Sequence, residues 1–102
     1  MLMYEKNLMK VDMNLLVVFM VVFRERNVSR AAEQLSVGQP AVSASLVRLR
    51  NCFDDRLFVR NGRGVRPTAK AIAIADALMP AMSTLGAVID GFAALKSRAS
   101  SK

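Results

Sequence analysis

A chain of 102 residues has room for one small domain with one modest core, and 53% hydrophobic content with 6% aromatic and no Trp points to a helical one. It has no His, the usual proton shuttle of enzymes, and its single cysteine, Cys52, has no internal disulfide partner, which argues against catalysis and for a reducing, cytoplasmic setting. The longest unbroken apolar run, Leu15 to Phe23, has nine residues, about half of the ~18 that a membrane span needs, and the opening MLMYEKNLMK mixes acid and base, unlike a signal peptide.

Residues 1–11 read as an extension ahead of the folded part. Asp12 or Asn14 is placed to cap a first helix, with Leu15, Leu16, Phe19, Met20, Val22 and Phe23 at three- and four-residue spacing. That helix should stop near Arg26-Asn27, with Asn27 taking the turn. Ser29 is then expected to cap a short second helix around Ala31, Ala32 and Leu35. Ser36-Val37-Gly38 forms a tight turn. Gly38 is an acceptable cap for a third helix, and Pro40 falls in its first turn, where a missing N–H costs little.

The third helix is predicted to run to about Cys52. At about 100° per residue, Val42, Leu46, Leu49 and Phe53 share one side. Pro40, Ala44, Val47 and Arg48 lie on the other, with Ser43 at the edge. Apart from Arg48 the outward face is short-chained, and small side chains let a helix backbone approach something grooved. Next, Leu57-Phe58-Val59 favours a strand, Asn61-Gly62 a hairpin turn, and Val65-Arg66 a return strand ended by Pro67. The result is a short two-stranded wing over 57–67, with Arg60, Arg63 and Arg66 around its tip.

From Thr68 the pattern is helical again, to Leu95. Ile72, Leu78, Met82, Leu85, Ile89 and Phe92 make an apolar stripe too long for the small front domain to cover, so it predicts a partner helix. Pro80 should kink or break this helix, and residues 96–102 read as a flexible polar end. Charge divides the same way. Between Arg24 and Lys70 ten basic residues face four acids, a net +6 of the chain's +7, whereas residues 71–95 hold only Asp76 and Asp90. A concentrated basic face predicts a polyanionic partner.

The elements therefore give a mainly α fold with three helices and a short β-hairpin wing (12–69), then a long helix (68–95). The helix pair over about 28–47 has helix-turn-helix spacing, and the basic wing behind it makes the winged variant. "VSRAAEQLSVGQPAVSASLVRLR" followed by "LFVRNGRGVRPT" resembles the amino-terminal DNA-binding domain of LysR-type transcriptional regulators. The positions that carry the likeness are Ala31-Ala32, Leu35, Gln39-Pro40, Ser43, Leu46, Leu49 and Leu57-Phe58.

That resemblance implies sequence-specific binding of double-stranded DNA at an interrupted, A/T-rich dyad. The third helix would lie in the major groove and the wing tip in the flanking minor groove. The long helix would pair antiparallel with another subunit's, giving a homodimer, and a tetramer when full length. By the same likeness Gln39, Pro40 and Ser43 come near the bases, and Ser29, Arg60 and Arg63 near the backbone or minor groove. The chemistry agrees: Gln pairs with adenine, thymine methyls suit Pro40 and Val47, and Arg suits a narrow minor groove. Ala44 stands where the family carries a long polar or basic side chain, so one usual base contact is missing and Val47 gains weight. The family continues into an effector-binding domain, so inducer sensing is expected to lie outside this chain. Localisation would be cytoplasmic and nucleoid-associated.

Other classes fare worse. Asp54-Asp55 reads as a helix end rather than a metal site, and no catalytic, metal or cofactor site and no small-molecule site is expected. Cys52 reads as a packing residue. The basic residues are not on the long apolar helix, so a membrane-surface role is disfavoured. The rival that survives is a truncated interaction module that pairs through its long helix with another regulator.

Overall fold

The computed structural model describes residues 1–100, with side chains for 1–9 and 11–93. Its elements run α1 (Met3–Lys10), α2 (Met13–Glu25), α3 (Val28–Leu35), α4 (Gln39–Phe53), β1 (Phe58–Asn61), β2 (Gly64–Pro67) and α5 (Ala69–Ser100). The first helix read from the sequence is thus α2, and α1 was not anticipated. Contacts group residues 1–72 into one unit and residues from Ala73 onward into another.

In the first unit, α2 starts where the Asp12 carboxylate accepts from the Asn14 N–H at 2.9 Å. It buries Leu15, Phe19, Val21 and Val22. Its end corrects the sequence reading: Arg26, not Asn27, takes the left-handed turn, at φ 57°. The long side chain is held there, with its Nε donating to the Phe23 carbonyl at 2.5 Å and its guanidinium 4.7 Å from the Phe23 ring centroid. Asn27 is extended and caps α3, its side chain accepting from the Arg30 N–H at 3.0 Å. Ser29 therefore lies inside α3 rather than at its cap, and its hydroxyl is spared for another partner.

Ser36 closes α3 in the left-handed region, and Gly38 and Pro40 open α4 as expected. Val42, Leu46 and Leu49 turn inward from α4 and meet Phe19 and Val22 of α2 and Ala31 and Ala32 of α3 in one core, completed by Leu57, Phe58 and Ala71. Phe19 is its centre, fully buried, with its ring 5.5 Å from Phe58 and 6.1 Å from Phe23. Phe53 is only half-buried, and Cys52, expected to pack, is exposed.

The wing also differs in detail. Phe58 pairs with Pro67 and Asn61 with Gly64, so the central turn residues are Gly62-Arg63 and not Asn61-Gly62. Positive φ at Gly62 alone (62°) fits a type II′ turn. Leu57 is not in the strand. It sits at φ 64°, completely buried, and its burial offsets a left-handed cost of about 1–2 kcal/mol. The Asp55 carboxylate holds it there, accepting from the Leu57 N–H at 2.8 Å and from the Thr68 hydroxyl at 2.6 Å. Thr68 Oγ1 in turn accepts from the Ala71 N–H at 3.1 Å, capping α5.

α5 departs from two expectations. Of the kink or break expected at Pro80, the break does not occur, and the helix runs through it. Proline deprives only one carbonyl of its partner, and the exposure of this stretch lets water take that place. It also passes Leu95, because Lys96 to Ser100 contain no Gly or Pro to stop it. Of the expected flexible end, 101–102 lie outside the described residues. The expectation that no segment reaches membrane-span length and hydropathy also fails. Within one helix, Ala69–Ala93, an 18-residue stretch reaches a mean hydropathy of 1.7, because abundant Ala, Leu and Ile outweigh the few charged residues.

Candidate nucleic-acid interface

The N-terminal ends of α3 and α4 and the wing face one another across a recess of about 220 Å³. Five of the nine residues singled out from the sequence line it: Ser29 from α3, Gln39 and Ser43 from α4, and Arg60 and Arg63 from the wing. All five are exposed. The other four, Pro40, Ala44, Val47 and Arg48, do not line the recess but lie exposed on the outward face of the same α4. The two groups together make one polar, basic surface that turns from a helix face into a hairpin.

Charge on this surface is uncommitted. Among the described residues the one ion pair is Arg24–Glu25, between neighbours in α2. The guanidinium groups of Arg48, Arg60, Arg63 and Arg66 make no side-chain hydrogen bond there. Four free arginines at a helix face and hairpin form an anion-attracting edge. A larger hollow of about 340 Å³, between α2 and the far side of α4, is lined mainly by Val17, Val18, Val37, Ala41 and Val42 and carries none of these residues. Its apolar lining suits neither phosphate nor base edges.

Three contacts set the geometry, and none was visible in the sequence. The Ser29 hydroxyl donates to Gln39 Oε1 at 3.1 Å, across the helix-turn-helix. The Val65 N–H donates to the Arg26 carbonyl at 2.9 Å, docking the wing on the α2–α3 corner. Gly64 permits that approach: a Cβ there would run into the Arg26 carbonyl oxygen. Gly64 matters for closeness, not for the backbone freedom its place after a turn suggests. The Asp55–Thr68 bond, last, ties the end of α4 to the start of α5 at the base of the wing. These bonds hold the Asp55 carboxyl below its usual pKa: the Thr68 hydroxyl contributes most, then the Leu57 N–H, with Lys70 adding a smaller effect against partial desolvation.

The helix-turn-helix with its basic hairpin defines a winged-helix nucleic-acid-binding domain. The pattern of bacterial regulatory helix-turn-helix proteins of the lysR family matches residues 13–72, and the chain belongs to that family. It is 49% identical over 72 residues to the HTH-type transcriptional regulator LeuO of Escherichia coli K12, covering 71% of this chain and 23% of that protein. Among solved structures, the probable transcriptional regulator PA0477 from Pseudomonas aeruginosa matches at a TM-score of 0.78 and 40% identity, over 82% of this chain and 28% of that one. The CbnR_DBD–DNA complex matches at a TM-score of 0.71 and 25% identity, over 90% of this chain and all of that one. The chain thus spans about a quarter of the length of such full regulators. These relatives are HTH-type transcriptional regulators, and the matching family is one of bacterial regulatory helix-turn-helix proteins.

Proposed function

We propose that this chain binds double-stranded DNA sequence-specifically as a homodimer, to regulate transcription. In this reading α4 enters the major groove. Gln39, Pro40 and Ser43 approach base edges, Pro40 and Val47 face thymine methyls, the small Ala44 lets the helix come close, and Arg48 meets a phosphate. Arg60 and Arg63 of the wing reach into the flanking minor groove. The dimer forms through α5, along Ile72, Leu78, Met82, Leu85, Ile89 and Phe92, and sets the spacing of an interrupted, A/T-rich dyad. The work would be done in the cytoplasm, on the nucleoid, with tetramers where a longer regulator carries this domain. The observation that supports it most is the convergence of Ser29, Gln39, Ser43, Arg60 and Arg63 on one recess continuous with the exposed face of α4.

The test is selection of bound duplexes from random DNA, followed by titration of Gln39→Ala. A symmetric, interrupted dyad should emerge. Gln39→Ala should cost about 1–3 kcal/mol on the selected site and little on scrambled DNA, relaxing choice at one position per half-site. Equal weakening on both duplexes would mean that α4 is not reading bases.

A second reading has one observation in its favour. Leu85, Val88, Ile89 and Phe92 are all exposed on α5, as they would be in a module that acts by pairing with another regulator. Stable mixed dimers with a longer relative, and no selectable DNA site, would favour it. The same apolar face is assigned to a partner helix rather than to a bilayer. Co-sedimentation with lipid vesicles would reverse that choice.

A further inference from the structure

Gln39 is the first residue of α4, and it is exposed. A free glutamine at such a position samples many rotamers and two amide orientations, and each presents a different donor and acceptor pattern. Here one oxygen is held. The Ser29 hydroxyl, on the second residue of α3, donates to Gln39 Oε1 at 3.1 Å. Ser29 is available because Asn27 already caps α3. The hydroxyl has one proton, and it is spent on Gln39. What Ser29 keeps are lone pairs, which repel a phosphate oxygen rather than bind it. The bond turns Oε1 toward α3 and leaves both amide N–H groups, with the second oxygen lone pair, for an outside partner.

We infer that Ser29 is a positioning residue for Gln39: it locks the side-chain amide in one donor–acceptor presentation at the start of α4, and does not itself contact the DNA backbone. This departs from the role that family resemblance implies for Ser29. It rests on the reading that α4 faces base edges. Its physical content is pre-organisation, since a side chain already ordered in the free protein loses less entropy on binding.

The test is a double-mutant cycle on the selected duplex and on one with the Gln39-dependent base pair replaced. Ser29→Ala should weaken binding to the selected site about three- to tenfold, the worth of one hydrogen bond. It should erode discrimination at the same base pair as Gln39→Ala. It should add nothing in the Gln39→Ala background, because the two residues act through one contact. Ser29→Thr, which keeps the hydroxyl, should restore both affinity and discrimination. Equal loss from Ser29→Ala in both backgrounds would place the hydroxyl on DNA and overturn the inference. If Gln39→Ala relaxes discrimination while Ser29→Ala leaves binding unchanged, this inference alone fails. If Gln39→Ala leaves discrimination intact, base reading by α4 fails and takes the inference with it. A readout without DNA stands beside these: the nitrogen-15 order parameter of the Gln39 side-chain amide should fall in Ser29→Ala. An unchanged value means that no lock exists.

Discussion

α4 and the stretch of α5 over residues 85–92 leave opposite things exposed. α4 hides Val42, Leu46 and Leu49 and shows Gln39, Ser43, Ala44 and Arg48. α5 between residues 85 and 92 shows Leu85, Val88, Ile89 and Phe92. A helix whose apolar stripe is already packed offers water, or a polar partner, a surface that costs nothing to leave bare. A helix whose stripe faces water forgoes about 25 cal/mol for every Å² left uncovered. The first arrangement suits a reversible, salt-sensitive partner such as DNA, and the second calls for a permanent apolar one.

The largest expected effect breaks the apolar half of that contrast. Leu85→Lys with Ile89→Lys puts charges into a dry seam at a cost of several kcal/mol each. Sedimentation should show the wild-type chain dimeric at about tens of micromolar and the double variant monomeric, with unchanged helical circular dichroism. A monomeric wild type ends the dimer reading, and an intact variant dimer puts the seam elsewhere.

Salt tests the polar half. If about four phosphates are neutralised per subunit, the dimer should give a log–log slope of roughly −7. Binding would then weaken about ten-thousandfold between about 50 and 200 mM salt. Arg63→Ala should weaken selected and scrambled duplexes alike and make the slope shallower by about one unit per subunit. A slope near zero in the wild type would turn the basic surface away from DNA.

Smaller effects sharpen how the two halves of the recess are held together. Gly64→Ala should cost about 1–3 kcal/mol of stability, because the Arg26 carbonyl must move. It should weaken binding as much as Arg63→Ala does, without touching an arginine. Thermal unfolding and duplex titration measure the two effects, and a neutral Gly64→Ala would show the wing to be loosely docked. The smallest effect is at Asp55. Its pKa is lowered on folding, so its contribution is present above the ordinary carboxylate value of about 3.9 and is lost as pH falls through the lowered one. Denaturant midpoints of wild type and Asp55→Asn should therefore differ at neutral pH and converge only in strong acid. Convergence already above about pH 5 would mean that the bonds to Thr68 and Leu57 do not hold the carboxylate in solution.

Much of the fold was legible because it follows from local chemistry. The inward stripe Val42, Leu46, Leu49 follows from helical periodicity, the opening of α4 from Gly38 and Pro40, and the wing from its Asn-Gly-Arg-Gly run. What was misread is equally local in appearance but decided at a distance. Leu57 looks like a strand residue, yet burial and the Asp55 carboxylate pin it in a left-handed turn. Asn27 was given the turn and Ser29 the cap, but Phe23 held the Arg26 side chain and moved both roles by one or two positions.

By itself the sequence determined the element order, the face of α4 that turns outward, the surplus of arginine over the front segment and the uncovered stripe of α5. These are properties of spacing and composition, which survive whatever the neighbours do. Only the tertiary structure decided that Ser29 reaches Gln39 ten residues away, that Gly64 is a point of contact with Arg26, and that Asp55 closes the base of the wing on Thr68. Each joins groups that lie on different elements, and hydrogen-bond geometry is satisfied or refused within a few tenths of an ångström. Periodicity assigns a residue to a face, but it does not place two faces relative to one another that closely.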